Sequence, residues 1–167
     1  SLTSADKLSA FLDECNGIRG VSAARKALIY VLNGSASPRE TAVSLLLTLP
    51  LRMGGYALPS FAINHELAVP KELQVLTRRR SLRADFFWKN ACVAAEYDSD
   101  IAHLGSEELC NDATKRIALH RMGYTTFAFT RVQVDSLILM DESVAALRRE
   151  LGIRMPQRLP VDYRAKQ

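Results

Sequence analysis

RADFFW (residues 83–88) and CVAAEYD (residues 92–98) are the two runs that decide the fold of this chain. Both are rich in the aromatic, valine and small apolar residues of a buried strand, and Lys89-Asn90 between them is typical of a hairpin-like turn. We therefore predict two antiparallel strands, 82–88 and 91–97, joined at this turn.

Three acidic side chains lie on this predicted hairpin. Asp85 is inside the first run, and Glu96 and Asp98 close the second. Side chains two residues apart on a strand point to the same face, and a turn at residues 89–90 places Asp85 approximately opposite Glu96. Charged residues are rarely buried in strands unless they are paired or bound to a metal. The pattern therefore predicts a convergent acidic site.

Two interpretations of this acidic site follow from the residues alone. Clustered carboxylates repel one another, and Mg²⁺, which prefers oxygen ligands and retains waters, would relieve that repulsion. Such an ion can stabilise the charge that develops on a phosphate and can deliver hydroxide near neutral pH. In the other interpretation, the acids form structural salt bridges with nearby arginines. The spacing of the acids leaves both interpretations open.

The elements around the hairpin predict the fold class. Apolar periodicity predicts helices over residues 4–14, 22–33, 38–49, 107–122 and 134–151, and strands over residues 61–69 and 124–130. The third helix opens on Ser37-Pro38-Arg39-Glu40, a capping box with proline at the first helical position. The order of elements predicts a mixed α/β fold around one sheet. We expect a helical extension over residues 1–34, the α/β domain over 35–152 and a basic tail over 153–167.

Composition restricts the class of protein further. A chain of 167 residues fits one domain and can bury a sizeable core. It contains no apolar run near the roughly 20 residues that span a bilayer, and we expect no membrane association. Three widely spaced cysteines fit a reducing, cytoplasmic setting. The sequence has no GxGxxG, GKT or GKS loop and no GxSxG elbow, the signatures of nucleotide sites and of serine hydrolases.

Positive charge is concentrated in one segment of a chain whose net charge is +4. Between residues 71 and 83, five basic residues oppose a single acid, Glu72; the five are Lys71, Arg78, Arg79, Arg80 and Arg83. Phosphate is one natural partner for such a segment, and solvated surface arginines are the alternative. A second basic stretch runs from Arg148 to Lys166.

Several of these motifs, taken in order, resemble the PD-(D/E)xK, or restriction-endonuclease-like, superfamily. They are SPRET at the start of a helix (residues 37–41), RADFFW, AAEYDSD (residues 94–100) with a histidine five residues after Asp98, and a helix that ends in GY (residues 123–124). The closest branch contains very-short-patch-repair endonucleases and many small bacterial endonuclease-like domains, and the resemblance covers residues 37–140. It implies a three-layer core with a central mixed sheet flanked by helices.

The resemblance also implies roles for individual residues. Asp85 matches the first metal-binding aspartate, and Glu96 matches the acid of the (D/E)xK motif. Asp98 stands where the wider superfamily often has lysine. His103 matches a histidine near the scissile phosphate, and Glu40 matches a first-helix acid that holds a metal-bound water. Lys115, on the following helix, is a candidate for the missing positive charge, and an exposed helix lysine is the alternative.

The expected activity is therefore Mg²⁺- or Mn²⁺-dependent hydrolysis of DNA, with Arg78, Arg79, Arg80 and Arg83 following the nucleic-acid backbone. The first alternative is an inactive endonuclease-like module that binds DNA or regulates a toxin–antitoxin or defence system. The second is a protein-interaction domain whose acids are structural. In many proteins of this branch, including abortive-infection antitoxins, a winged-helix-like region precedes the domain, and we expect that an upstream domain is missing from this chain.

Overall fold

A computed structural model describes residues 3–15, 17–98 and 106–154, without the side chains of residues 106–108. The chain divides into two compact units, Ser1–Ala57 and Leu58–Gln167. The division predicted at residue 34 stays a prediction, and the predicted basic tail lies outside the described residues from residue 155 onward. No helix in the described ranges is long and apolar enough to cross a membrane.

The first unit is helical. It contains α1 (Ala5–Glu14), α2 (Val21–Leu28), α3 (Pro38–Thr48) and a short 3-10 turn at Leu51–Met53. The start of α3 agrees with the sequence: the Ser37 side chain accepts a hydrogen bond from Glu40 N at 3.1 Å. The Glu40 carboxylate reaches back one residue beyond the cap and accepts from Ala36 N at 2.9 Å. Both contacts satisfy amide groups near the helix start, which has no intrahelical acceptors for them.

The second unit is built around a four-stranded mixed sheet. Its elements in chain order are β1 (Ala62–Ala68), α4 (Lys71–Thr77), β2 (Ser81–Trp88), β3 (Val93–Asp98), α5 (Ser106–Arg121), β4 (Thr125–Thr130), α6 (Arg131–Val134) and α7 (Leu137–Glu150). The strand order is β1-β2-β3-β4, with β1, β2 and β3 antiparallel and β4 parallel to β3. The predicted α/β class with one mixed sheet flanked by helices is confirmed.

Four details differ from the sequence-based prediction. Residues 71–77, expected to be a basic link, form α4 between β1 and β2. The second helix ends at Leu28 instead of residue 33. The last predicted helix, 134–151, is present as α7 but begins at Leu137, and it is preceded by a short helix, α6, that was not predicted. The predicted hairpin is present, but its connection is a 3-10 turn, Lys89–Ala91, followed by a left-handed residue, Cys92, with φ of 53°.

An apolar cluster joins the sheet to α4 and α5. Its buried members are Leu67, Val69, Leu73, Leu82, Ala84, Phe87, Ala94, Ala118 and Leu119. Leu73 is the contribution of α4, and Ala118 and Leu119 are the contributions of α5. Burying a leucine side chain stabilises the fold by roughly 1.5–3 kcal/mol. This packing fixes α5 next to the strands that carry the acidic residues.

Candidate functional site

The antiparallel register of β2 and β3 brings two of the predicted acids together. Phe86 pairs with Ala95 and Phe87 with Ala94, so the next step of the ladder aligns Asp85 with Glu96. The Asp85 side chain also contacts the backbone of β3, because its Oδ2 accepts a hydrogen bond from Tyr97 N at 3.0 Å. The backbone therefore holds one carboxylate oxygen of Asp85 beside the strand that carries Glu96.

Glu96 lies between the other two acids of the site and Lys115. Its Oε1 is buried and lies against the ammonium group of Lys115 on α5. Burial raises the pKa of the Glu96 carboxyl above its ordinary value of 4.5, and the nearby charges of Asp85 and Asp98 raise it further. Lys115 acts in the opposite direction, because its charge and its hydrogen bond lower this pKa. Glu96 therefore lies in a partly desolvated position among two other carboxylates and one cation.

Asp98 has its own cation on α5. Its Oδ2 is 3.3 Å from Nη2 of Arg116. Burial raises the pKa of Asp98, and the Arg116 charge lowers it, while Asp112 raises it and Lys115 lowers it. Lys115 and Arg116, which are adjacent on α5, thus pair with the two acids at the end of β3. The arginine ion pair of the alternative interpretation is therefore present for Asp98, whereas the cationic partner of Glu96 is a lysine.

Lys115 connects the acids to the fold. Ala118 and Leu119, one turn further along α5, are buried against the sheet and hold the helix in place. The Lys115 side chain is 21% exposed, so it is not the exposed helix lysine of the alternative interpretation. The sequence analysis missed Arg116 as a partner of Asp98. Arg116 is next to Lys115 on the helix that follows β3, and this proximity could have suggested the pair.

Two other predicted residues lie outside the described part of the second unit. Glu40 belongs to α3 in the first unit, where its carboxylate caps the helix start. His103 lies outside the described residues, between β3 and α5. Within residues 3–15, 17–98 and 109–154, no three His, Cys, Asp or Glu side chains form a group that could hold a metal ion. The predicted metal ligands Asp85 and Glu96 are nevertheless adjacent.

The predicted basic segment is divided by the structure. Arg78 and Arg79 line a cleft of about 420 Å³ between the end of α4 and the first half of α5. The other lining residues are Leu76, Thr77, Leu82, Cys110, Asn111, Asp112, Thr114 and Lys115. Arg80 and Arg83 are exposed and do not line it. The sequence analysis missed Asn111 and Thr114. Asn111 precedes Thr114 by three residues and Lys115 by four, which places it on the same side of the helix as both.

The chain is similar to two curated proteins of Mycobacterium tuberculosis. These are "Uncharacterized protein MT2308" of strain CDC 1551 and "Uncharacterized protein Rv2248" of strain H37Rv, each 30% identical over 115 residues. The aligned part is 67% of this chain and 36% of each relative, so the chain spans about a third of their length. No family model matches the chain, and no solved structure matches it.

Proposed function

We propose that this chain binds a divalent cation, Mg²⁺ or Mn²⁺, at Asp85 and Glu96 and hydrolyses phosphodiester bonds of DNA. The observation that carries the proposal is the meeting of Asp85, Glu96 and Lys115 at one point between β2, β3 and α5. Two acids and one lysine are the residue types that the PD-(D/E)xK resemblance implies. The order of the elements, from the three-stranded meander through α5 to the parallel strand β4, also supports it.

The donor set fits a hard cation. Mg²⁺ is usually held by one or two carboxylates, while waters and substrate phosphate oxygens complete its six positions. Asp85 and Glu96 supply two carboxylates from neighbouring strands. Burial is the main cause of the raised pKa of Glu96, and a bound cation would relieve the repulsion by Asp85 that adds to it. When bound, the cation would activate a water and stabilise negative charge on the phosphate.

The side chains around this pair have separate roles in the proposed reaction. Lys115 would leave Glu96 when a cation takes its place, and its ammonium group would then lie within reach of a phosphate oxygen and stabilise the charge that develops there. Arg116 would favour the ionised form of Asp98 beside the site, because its charge opposes the rise that burial causes in the pKa of that carboxyl. The hydrogen bond from Tyr97 N would fix the orientation of Asp85.

The ion pairs favour a second candidate, an inactive endonuclease-like module that binds or regulates through its surface. Glu96 and Asp98 already have cationic partners on α5, and a descendant that had lost its metal could keep the acids for stability alone. In that case Lys115 and Arg116 would be structural, and DNA would be bound without cleavage.

Cation binding and strand cleavage separate these candidates. Titration with Mn²⁺ should raise the melting temperature of the protein, and Asp85→Asn and Glu96→Gln should each remove that increase. Glu66→Gln is a matched control, because Glu66 is an exposed strand carboxylate paired in register with Arg83. Cleavage of plasmid and single-stranded DNA is measured with the same variants. No Mn²⁺-dependent shift and no cleavage in the unmodified protein would refute the proposed hydrolysis.

A further inference from the structure

The cleft between α4 and α5 has a fixed basic rim. α4 ends at Thr77, and Arg78 closes it in the left-handed region with φ of 53° while its N–H donates to Gln74 O at 2.8 Å. The Thr77 hydroxyl accepts from Arg79 N at 3.2 Å and donates to Arg79 O at 3.1 Å. These contacts fix the backbone that carries Arg78 and Arg79, although both side chains are exposed.

The charges on this rim are not neutralised by the protein. Within the part of the chain that the structure describes, neither Arg78 nor Arg79 forms a salt bridge, whereas Arg25, Arg116 and Arg131 each do. Lys115 also lines the cleft but is paired with Glu96, and Asp112 is the one acid among the described lining residues. Arg78 and Arg79 therefore give the described lining two positive charges without an ion-pair partner, and the lining favours an anion.

The size and the remaining walls indicate which anion. A volume of about 420 Å³ is at the small end of ligand sites and suits one nucleotide unit of a single strand. Arginine guanidinium groups match phosphate oxygens in a two-point contact, and Asn111 and Thr114 add neutral donors on the opposite wall. Leu76 and Leu82 complete the lining with apolar surface against which a sugar can pack.

We infer that this cleft is a subsite for one backbone phosphate of a single nucleic-acid strand, adjacent to the bond that the carboxylates would hydrolyse. Lys115 forms the link, because it lines the cleft and also contacts Glu96. The inference rests on the proposed function for the identity of the strand as substrate. It assigns phosphate binding to Arg78, Arg79, Asn111 and Thr114 and assigns none to Arg80 or Arg83.

Binding without metal tests the subsite separately from hydrolysis. A fluorescently labelled single-stranded oligonucleotide without terminal phosphates is titrated with the full chain in EDTA, and anisotropy is followed at several salt concentrations. Arg79→Gln, Arg78→Gln and Thr114→Val are compared with Arg80→Gln and Arg83→Gln, which remove the same charge outside the cleft. Equal melting temperatures for all variants show that the exposed substitutions leave the fold intact.

We expect Arg79→Gln to weaken binding about tenfold, the low end for a hydrogen bond to a charged group. Its plot of log affinity against log salt should lose about 0.7 of slope, the value for one phosphate contact on a single strand. Thr114→Val should weaken binding at an unchanged salt slope, and the two control arginine variants should change affinity less than about twofold.

Each outcome has a defined meaning. Cleft-dependent binding in a protein that does not cleave supports the subsite and refutes only the proposed hydrolysis. Equal losses in all four arginine variants overturn the subsite in favour of diffuse surface attraction. The inference is also overturned if the oligonucleotide does not bind. A site specific for a strand is also refuted if a 5′-mononucleotide or inorganic phosphate displaces the oligonucleotide when both are present at equal concentration.

Discussion

Lys115→Met tests most directly how much the ion pair between Lys115 and Glu96 contributes to the stability of the fold. Methionine keeps the length and apolar stem of lysine but removes its charge, so Glu96 stays between β3 and α5 without its cation. Removing one partner of a buried ion pair leaves the other charge poorly compensated, which destabilises a fold more than the pair stabilised it. We expect Lys115→Met to lower the free energy of unfolding at neutral pH.

The exposure of the two side chains sets the magnitude. Lys115 and Glu96 are 21% and 20% exposed, so the pair is neither a surface pair nor a fully buried one. Exposed pairs contribute about 0–1 kcal/mol, and breaking a fully buried pair costs about 3–5 kcal/mol. The expected loss for Lys115→Met is therefore about 1–3 kcal/mol. Arg131→Met is the control, because the Arg131–Asp135 pair is 60% and 49% exposed and should contribute about 0.3–0.5 kcal/mol.

The loss should depend on pH in one direction. The folded-state pKa of Glu96 is already above 4.5, and removal of Lys115 removes a contribution that lowers it. A carboxyl whose folded pKa is raised binds its proton more tightly in the folded protein, so stability falls as pH rises from about 4.5 through the folded pKa. The difference between Lys115→Met and the unmodified protein should thus be largest at neutral pH and should shrink as pH falls toward 4.5.

Urea unfolding at a series of pH values measures this effect, with unchanged m values as the condition for comparison. The double variant Lys115→Met with Glu96→Gln should recover part of the lost stability at neutral pH, because no buried charge remains. A loss below about 0.5 kcal/mol that does not change with pH would refute the reasoning, since it would place the pair among surface pairs.

Substitutions at three further residues test the fold. Phe129→Ala should lower the free energy of unfolding by about 3–5 kcal/mol in urea titrations, because Phe129 is 0% exposed in β4. Gly55→Ala should lower stability by about 1–3 kcal/mol in thermal melts, because a Cβ would clash with the backbone oxygen of Leu49. Asp85→Asn keeps an oxygen acceptor for Tyr97 N and should change stability little, whereas Asp85→Ala should cost about 1–3 kcal/mol and speed amide exchange at Tyr97.

The hairpin with its acids could be predicted because the information is local. Strand residues alternate in their facing, and a short turn fixes which residues pair, so the approximate alignment of Asp85 with Glu96 follows from counting. The order of most elements was predictable for the same reason, whereas the mixed sheet was implied by the resemblance, because the parallel pairing of β3 with β4 joins segments on either side of α5. The exact connection was not, because Cys92 adopts a left-handed conformation that its residue type does not favour.

The elements that the sequence missed depend on contacts between distant residues. α4 has only seven residues, too few to show a helical period, and Leu73 ties it to the core. In α2 the apolar pattern continues past Leu28, but Ile29 is 75% exposed and gains little from staying helical. The partner of Lys115 depends on where β4 and the core cluster fix α5, and no spacing within the helix encodes that position.

The position of α4 separates one wall of the cleft from the strands that carry the carboxylates. Ala68 pairs with Ser81, and Val69 N donates to Arg80 O at 2.9 Å. Residues 70–79 therefore form a loop whose two ends are joined by the pairing of β1 with β2. Doubling the length of such a loop costs only about 0.6 kcal/mol of closure entropy. Changes after Leu73 would alter the wall of the cleft that Leu76, Thr77, Arg78 and Arg79 form, while Leu73 stays in the cluster that also holds α5. The proposed phosphate contacts can therefore change in a segment that lies outside the strands that carry Asp85 and Glu96.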